Sequence, residues 1–251
     1  MSATTILTIV AIGAAVGFLG GLFGKGGSAI ATPLLSVAGI SALVAVASPL
    51  PAVIPGTLVA SYAYWQQRLI DWRVVRWSIA IGVPTTAIGA YATRWTGGTP
   101  LLIATEIIVT LLGARFLLRP GDPHEITIVP HGFRTRLAIV AGVVGVLSGL
   151  LANSGGFLLA PLYVLVLRLP LKQAFASSLA VATALAIPGT IVHAALGHID
   201  WTIVAYFGAA AIPLSYLGAR LAVRTNPVRL ERLYGAALLL LGAITLTLSS
   251  T

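Results

Sequence analysis

Runs of about twenty apolar residues, the length a helix needs to cross a bilayer, follow one another along most of this chain. Nothing else restricts its fold as strongly. Of its 251 residues, 58% are hydrophobic and 8% are charged, whereas a soluble domain carries about 25% charged residues. No globule in water could bury so much apolar surface, so lipid is the solvent and the expected fold is an all-α, polytopic membrane protein. The opening stretch, M-S-A-T-T-I-L-T-I-V, has no basic region ahead of its apolar run and reads as a retained segment rather than a cleaved signal. A net charge of +9 would point a soluble protein toward nucleic acid. Here the arginines lie between apolar runs without a basic face or an aromatic reading surface, so no nucleic-acid partner is expected. The chain has no cysteine, which excludes disulfides, thiolate metal sites and a cysteine nucleophile.

One pattern occurs twice. Residues 17–34 read G-F-L-G-G-L-F-G-K-G-G-S-A-I-A-T-P-L, and residues 145–162 read G-V-L-S-G-L-L-A-N-S-G-G-F-L-L-A-P-L. Gly17 pairs with Gly145, Gly21 with Gly149, Gly27 with Gly155 and Pro33 with Pro161, each at a spacing of 128 residues. Farther on the spacing is 129, matching Asp71-Trp72 with Asp200-Trp201, Pro84 with Pro213 and Gly89 with Gly218. The chain therefore reads as a duplication: a first transmembrane repeat over residues 1–118, a polar linker over 119–136 and a second repeat over 137–251. Each repeat divides into five helical segments. The first has 5–23, 28–37, 41–65, 74–93 and 101–118, and the second has 137–151, 157–167, 171–196, 201–223 and 228–248. Glycine clusters break the chain between the first two segments of each repeat. Pro49, Pro51 and Pro55 interrupt the third segment, which makes it a candidate moving element.

Charge placement selects the topology. If each broken segment simply crosses the bilayer, the arginines and lysines outside the breaks divide seven against seven. If each broken segment turns back at its glycines, thirteen of the fourteen fall on the side of the linker, with Arg94 alone opposite. The positive-inside rule prefers the second arrangement. It implies a cytoplasmic linker, both termini outside the cell membrane, and two inverted repeats whose glycine tips enter the bilayer from opposite faces. Inverted-repeat transporters build midplane sites in this way.

Irregular backbone at membrane depth is tolerated only where protein buries it or a wet cavity adjoins it. Each break also presents the N-terminus of a short helix, whose free N–H groups and positive dipole end favour an anion. The candidate binding residues are therefore Gly24, Lys25, Gly26, Gly27 and Ser28 in the first break and Asn153, Ser154, Gly155 and Gly156 in the second. Lys25 would be an intramembrane cation facing the anion, or would snorkel to the surface. Gly17, Gly20 and Gly21, at helical spacing, read as packing glycines. Ser48, Ser177 and Ser178 are candidate lining residues. Glu106, inside the fifth segment, and His193 are candidate carriers of a coupling proton. Asp71 and Asp200 precede tryptophans at helix starts and read as caps beside an aromatic belt. No catalytic residue, metal or cofactor is assigned, because Glu106, His193 and His198 fall on unrelated places and form no ligand cluster. The expected partners are a small anionic solute, a coupling proton or sodium ion, and the bilayer, with a homodimer allowed.

The duplicated G-x-x-x-G-x-x-G-x-G-G…P-L pattern resembles the sulfite exporter TauE/SafE family of membrane permeases. So do I-D-W before the third long helix of each half and the echoes P-T-T-A-I-G-A and P-L-S-Y-L-G-A within it. The likeness runs in order along nearly the whole chain. Lys25 and Ser28 stand where the family usually has an apolar residue and a third glycine. The resemblance implies a transporter of small sulfur-containing anions, such as sulfite or organosulfonates, coupled to an ion gradient. A passive anion channel is the alternative, and an intramembrane enzyme a more remote one.

Overall fold

The computed structural model describes residues 2–24, 28–92, 110–111, 113–118, 131–151 and 154–249. Every named element among them is an α-helix. In chain order these are α1 (Ala3–Phe23), α2 (Ser28–Val37), α3 (Ala42–Ala47), α4 (Pro49–Trp65), α5 (Trp72–Ala92), α6 (Phe133–Leu150), α7 (Gly156–Leu165), α8 (Leu171–Ala195), α9 (Trp201–Arg224) and α10 (Pro227–Ser249). Among the described residues, five stretches are long and apolar enough to cross a membrane: Ala3–Phe23, Leu43–Trp65, Phe133–Leu150, Leu171–Ala195 and Trp201–Arg224. The short helix after the first break covers the predicted residues 28–37. Helix α6 begins at Phe133, inside the stretch expected as linker.

Local chemistry accounts for the boundaries. Helix α1 starts at Ser2, whose hydroxyl accepts the Thr5 N–H, and ends at Gly24, which is left-handed with φ 67°. The third predicted segment is interrupted only at Ser48, because Pro49 opens α4 at the one position where its missing N–H costs nothing. Pro51 and Pro55 sit inside α4 without ending it. Helices α5 and α9 both start from an aspartate cap. The Asp71 carboxylate accepts the N–H groups of Arg73 and Val74, and Asp200 accepts those of Thr202 and Ile203. Both aspartates are thus the caps their sequence positions suggest.

The main packing joins opposite halves of the chain. Helix α1 lies on α9 so closely that the backbone carbonyls of Phe207, Ala211 and Ser215 occupy the places where Gly13, Gly17 and Gly21 would carry a Cβ. Helix α6 lies on α5 in the same way, with Gly145 over Gly82 and Gly149 over Thr86. Gly218 then meets Phe18, and Gly89 meets Val146. These partners are related by the sequence spacings of 128 and 129, so one contact is made twice. Small residues serve this purpose where lipid offers no hydrophobic drive and only close backbone approach gains dispersion energy. The long apolar cores of α8 and α4 cross between these pairs. At one end of the bundle the fully buried Tyr234 of α10 is ringed by Phe23, Phe116 and Phe175, at centroid distances of 5.5, 5.5 and 4.9 Å.

Candidate functional site

The first break is clamped by two side chains. The Tyr64 hydroxyl on α4 donates to the Gly21 carbonyl at 3.2 Å, and the Ser178 hydroxyl on α8 donates to the Gly24 carbonyl at 2.8 Å. Gly24 lies against the backbone of Phe175, where any Cβ would collide. Of the predicted residues here, Gly24 and Ser178 are thus brought together. Ser28 is the first residue of α2, and Lys25, Gly26 and Gly27 lie outside the described residues.

In the second break, Gly155 adopts φ 67° and its carbonyl accepts the N–H groups of Leu158 and Leu159, both at 3.1 Å. Helix α7 begins at Gly156, and residues 154–161 are all buried. A Cβ at Gly155 would meet Val144, Leu185 and Ser148 at 3.0, 3.2 and 3.3 Å. Ser154, Gly155 and Gly156 are thus enclosed by protein, and the amino end of α7 faces a tight wall that is mostly apolar. Asn153 lies outside the described residues, as does Glu106. Gly155 sits beside Leu185 and Gly24 beside Ser178. Seven residues of α8 separate these levels, roughly 10 Å at 1.5 Å per residue. Leu185 is close to the middle of α8, which places the second break near mid-length of that helix.

Ser48 and Ser177 have a different occupation. The Ser177 hydroxyl accepts the Asp71 N–H at 3.0 Å, and the Ser48 hydroxyl accepts the Asp200 N–H at 3.0 Å. Each serine from one half anchors the helix start of the other, and both are fully buried. His193 meets His198, so the expectation that these two fall on unrelated places is corrected. The helix end between them turns the chain back on itself.

Four residues that the sequence reading passed over belong to the same region. Thr57 and Thr183 join α4 to α8 through a buried hydroxyl contact of 2.7 Å, and the Ser215 hydroxyl donates to Ala211. Thr57 and Ser215 are the polar groups lining a cavity of about 20 Å³ among α1, α4 and α9, whose walls include Gly17, Gly20, Gly21, Gly56 and Leu179. That is room for about one water molecule, one turn before Gly24. Leu185 is the fourth residue. A signal did exist for Thr57: it follows Pro55-Gly56 inside an apolar helix, where a hydroxyl needs a partner.

The chain matches the model of the family described as Sulfite exporter TauE/SafE over residues 9–245. "Probable membrane transporter protein YjnA" of Bacillus subtilis (strain 168) is 29% identical over 253 residues, covering 94% of this chain and 98% of the relative. A "Probable membrane transporter protein" of Xylella fastidiosa (strain Temecula1 / ATCC 700964) is 27% identical, covering 94% of this chain and 92% of the relative. "Probable membrane transporter protein YunE" of Bacillus subtilis (strain 168) is 24% identical, covering 88% and 89%. No solved structure matches. With a match that takes in both glycine breaks, four of the candidate spans whole and the first from residue 9 onward, the chain belongs to the sulfite exporter TauE/SafE family.

Proposed function

We propose that this multi-pass membrane transporter is a permease for a small sulfur-containing anion, sulfite or an organosulfonate, working by alternating access. The observation that carries the reading is the second break. A left-handed Gly155 interrupts the chain near mid-length of α8, and the amino end of a ten-residue helix is aimed into the protein there. A helix N-terminus at that depth is an anion seat built from backbone. The first break supplies its counterpart, with Lys25 as the cation and Ser28, Asn153 and Ser154 as further donors. In the inverted arrangement the linker is cytoplasmic and both termini are outside. Movement of the group α1, α4 and α9 against the group α5, α6 and α8, each of which takes helices from both halves, exposes the seat to each face in turn, with Glu106 or His193 carrying a coupling proton. The packing around Gly155 fits a closed moment of that cycle.

Purified full-length protein is the material for the test. A thermal-shift screen against sulfite, sulfate, thiosulfate, taurine and sulfoacetate should give stabilisation by at least one sulfur anion, since a ligand that binds only the folded state raises its stability. Liposomes containing the protein should then accumulate that anion against its gradient when a proton or sodium gradient is imposed. Lys25→Ala should weaken binding far more than it lowers membrane abundance. Strictly downhill flux would overturn the permease in favour of a passive channel, and stabilisation by no anion would remove the seat itself.

A further inference from the structure

The end of α8 follows the Schellman pattern: the His198 N–H bonds to the His193 carbonyl at 3.0 Å, the Gly197 N–H bonds to the Ala194 carbonyl at 3.1 Å, and Gly197 has φ 70°. This motif forces the second residue past the helix against the residue one turn before its end, and an apolar contact usually forms between them. The end of α4 repeats the motif at the equivalent positions. There the Leu69 N–H bonds to the Tyr64 carbonyl, and Arg68 takes the left-handed place of Gly197. Where the first half has Tyr64 and Leu69, the second half has two histidines. Their Nδ1 atoms are 3.2 Å apart, and their ring centroids 5.4 Å apart. Both rings are half-buried, so their positions are held while water still reaches them.

We propose that His193 and His198 form a binding site for a late first-row divalent cation, Cu²⁺, Zn²⁺ or Ni²⁺, with both Nδ1 atoms as ligands once the proton of their Nδ1–Nδ1 hydrogen bond has moved to the Nε2 of the ring that held it. Imidazole nitrogen bonds such ions at about 2.0–2.1 Å, and at that length a separation of 3.2 Å subtends about 100° at the ion. This angle lies between the cis angle of a square or octahedral site and that of a tetrahedron. No third histidine, aspartate or glutamate joins them among the described residues, so water completes the coordination. The site is weaker than a four-ligand structural one and prefers Cu²⁺. Occupancy ties the last turn of α8 to the loop that enters α9. The assignment does not depend on the anion seat, and an ion on His193 competes with the coupling proton proposed for that ring.

The test uses full-length protein without a histidine tag, titrated with Cu²⁺ in detergent and followed by calorimetry and electron paramagnetic resonance. The expected result is one ion per chain with hyperfine splitting from two imidazole nitrogens. His193→Gln and His198→Gln should each weaken binding at least tenfold, and His131→Gln should leave it unchanged. His193→Tyr, which restores the residue found at the equivalent position 64, should also abolish the signal while size-exclusion behaviour stays that of the parent. Stoichiometric binding that survives both single variants, or no stoichiometric binding in the parent protein, would overturn the site.

Discussion

Helices α1, α4 and α9 and their counterparts α6, α8 and α5 are built on one plan, yet a small cavity stands in the first group where a leucine side chain stands in the second. The backbone contacts correspond position by position: Gly21 over Ser215 and Gly149 over Thr86, Gly17 over Ala211 and Gly145 over Gly82. The side chains between them do not correspond. Gly56 lines the cavity of about 20 Å³. Its equivalent at a spacing of 129 is Leu185, whose branched end packs toward both Gly82 and Gly155. Phe207, on the cavity wall, corresponds to Ser78, which instead receives the hydroxyl of the buried Tyr163 at 2.6 Å. Duplication has preserved how the helices touch, while divergence has settled what fills the space between them.

The largest effects should come from the shared contacts. Gly21→Val and Gly149→Val each place a branched side chain into a backbone carbonyl, and overpacking against unyielding backbone should cost more than about 3 kcal/mol. Both variants should fail to give a monodisperse peak in detergent, and tolerance of only one would break the equivalence. Next come the divergent positions. Leu185→Ala removes a fully buried side chain and should cost about 2–5 kcal/mol in unfolding free energy. Gly56→Ala puts one methyl group into the cavity, 3.3 Å from the Ser215 hydroxyl oxygen, should leave membrane abundance intact and should lower anion uptake. Unchanged uptake would show that the cavity takes no part in passage.

Smaller and more nearly equal losses should follow from Ser48→Ala and Ser177→Ala. Each leaves a part-buried aspartate N–H without its acceptor, a loss of at most about 1–3 kcal/mol. Equal drops in thermal stability would support the reciprocal geometry, and a silent variant on one side would sharpen where the halves differ. The smallest effect concerns two turns where glycine and arginine exchange places. Arg68 and Arg168 have φ 55° and 56°, while Gly197 and Gly39 stand at the equivalent positions with φ 70° and 84°. Arg68→Gly and Arg168→Gly should stabilise by up to about 1 kcal/mol, since a left-handed residue with a Cβ is strained.

How far the fold was legible depended on the kind of signal. Glycine clusters, prolines and the limits of apolar runs are local, so the ends of α2 and α8 could be read directly, and Asp71 and Asp200 declared themselves as caps. The spacing of Gly17 and Gly21 announced a close helix contact without naming the partner, because in a membrane helix apolar residues surround the whole circumference and no face is marked. For that reason the exchange of Ser48 and Ser177 between the halves could not be seen. The meeting of His193 with His198 depends on a Schellman turn at Gly197, whose hydrogen bonds are a property of folded backbone. Of the candidate site, the interruption at Gly155 and the nearness of Gly24 to Ser178 emerge in the fold. Thr57 and Thr183 needed the crossing of α4 and α8 before they could be paired.

The glycine face of α1 finds its cover only on α9, nearly two hundred residues later in the chain. At a synthesis rate of about 5–20 residues per second, a ribosome delivers Phe207 about 10–40 s after Gly13. For that interval the nascent N-terminal helix rests among lipid acyl chains with its backbone groove bare. The first half cannot complete itself during translation, so premature termination anywhere before α9 leaves an insertion intermediate for membrane quality control to remove.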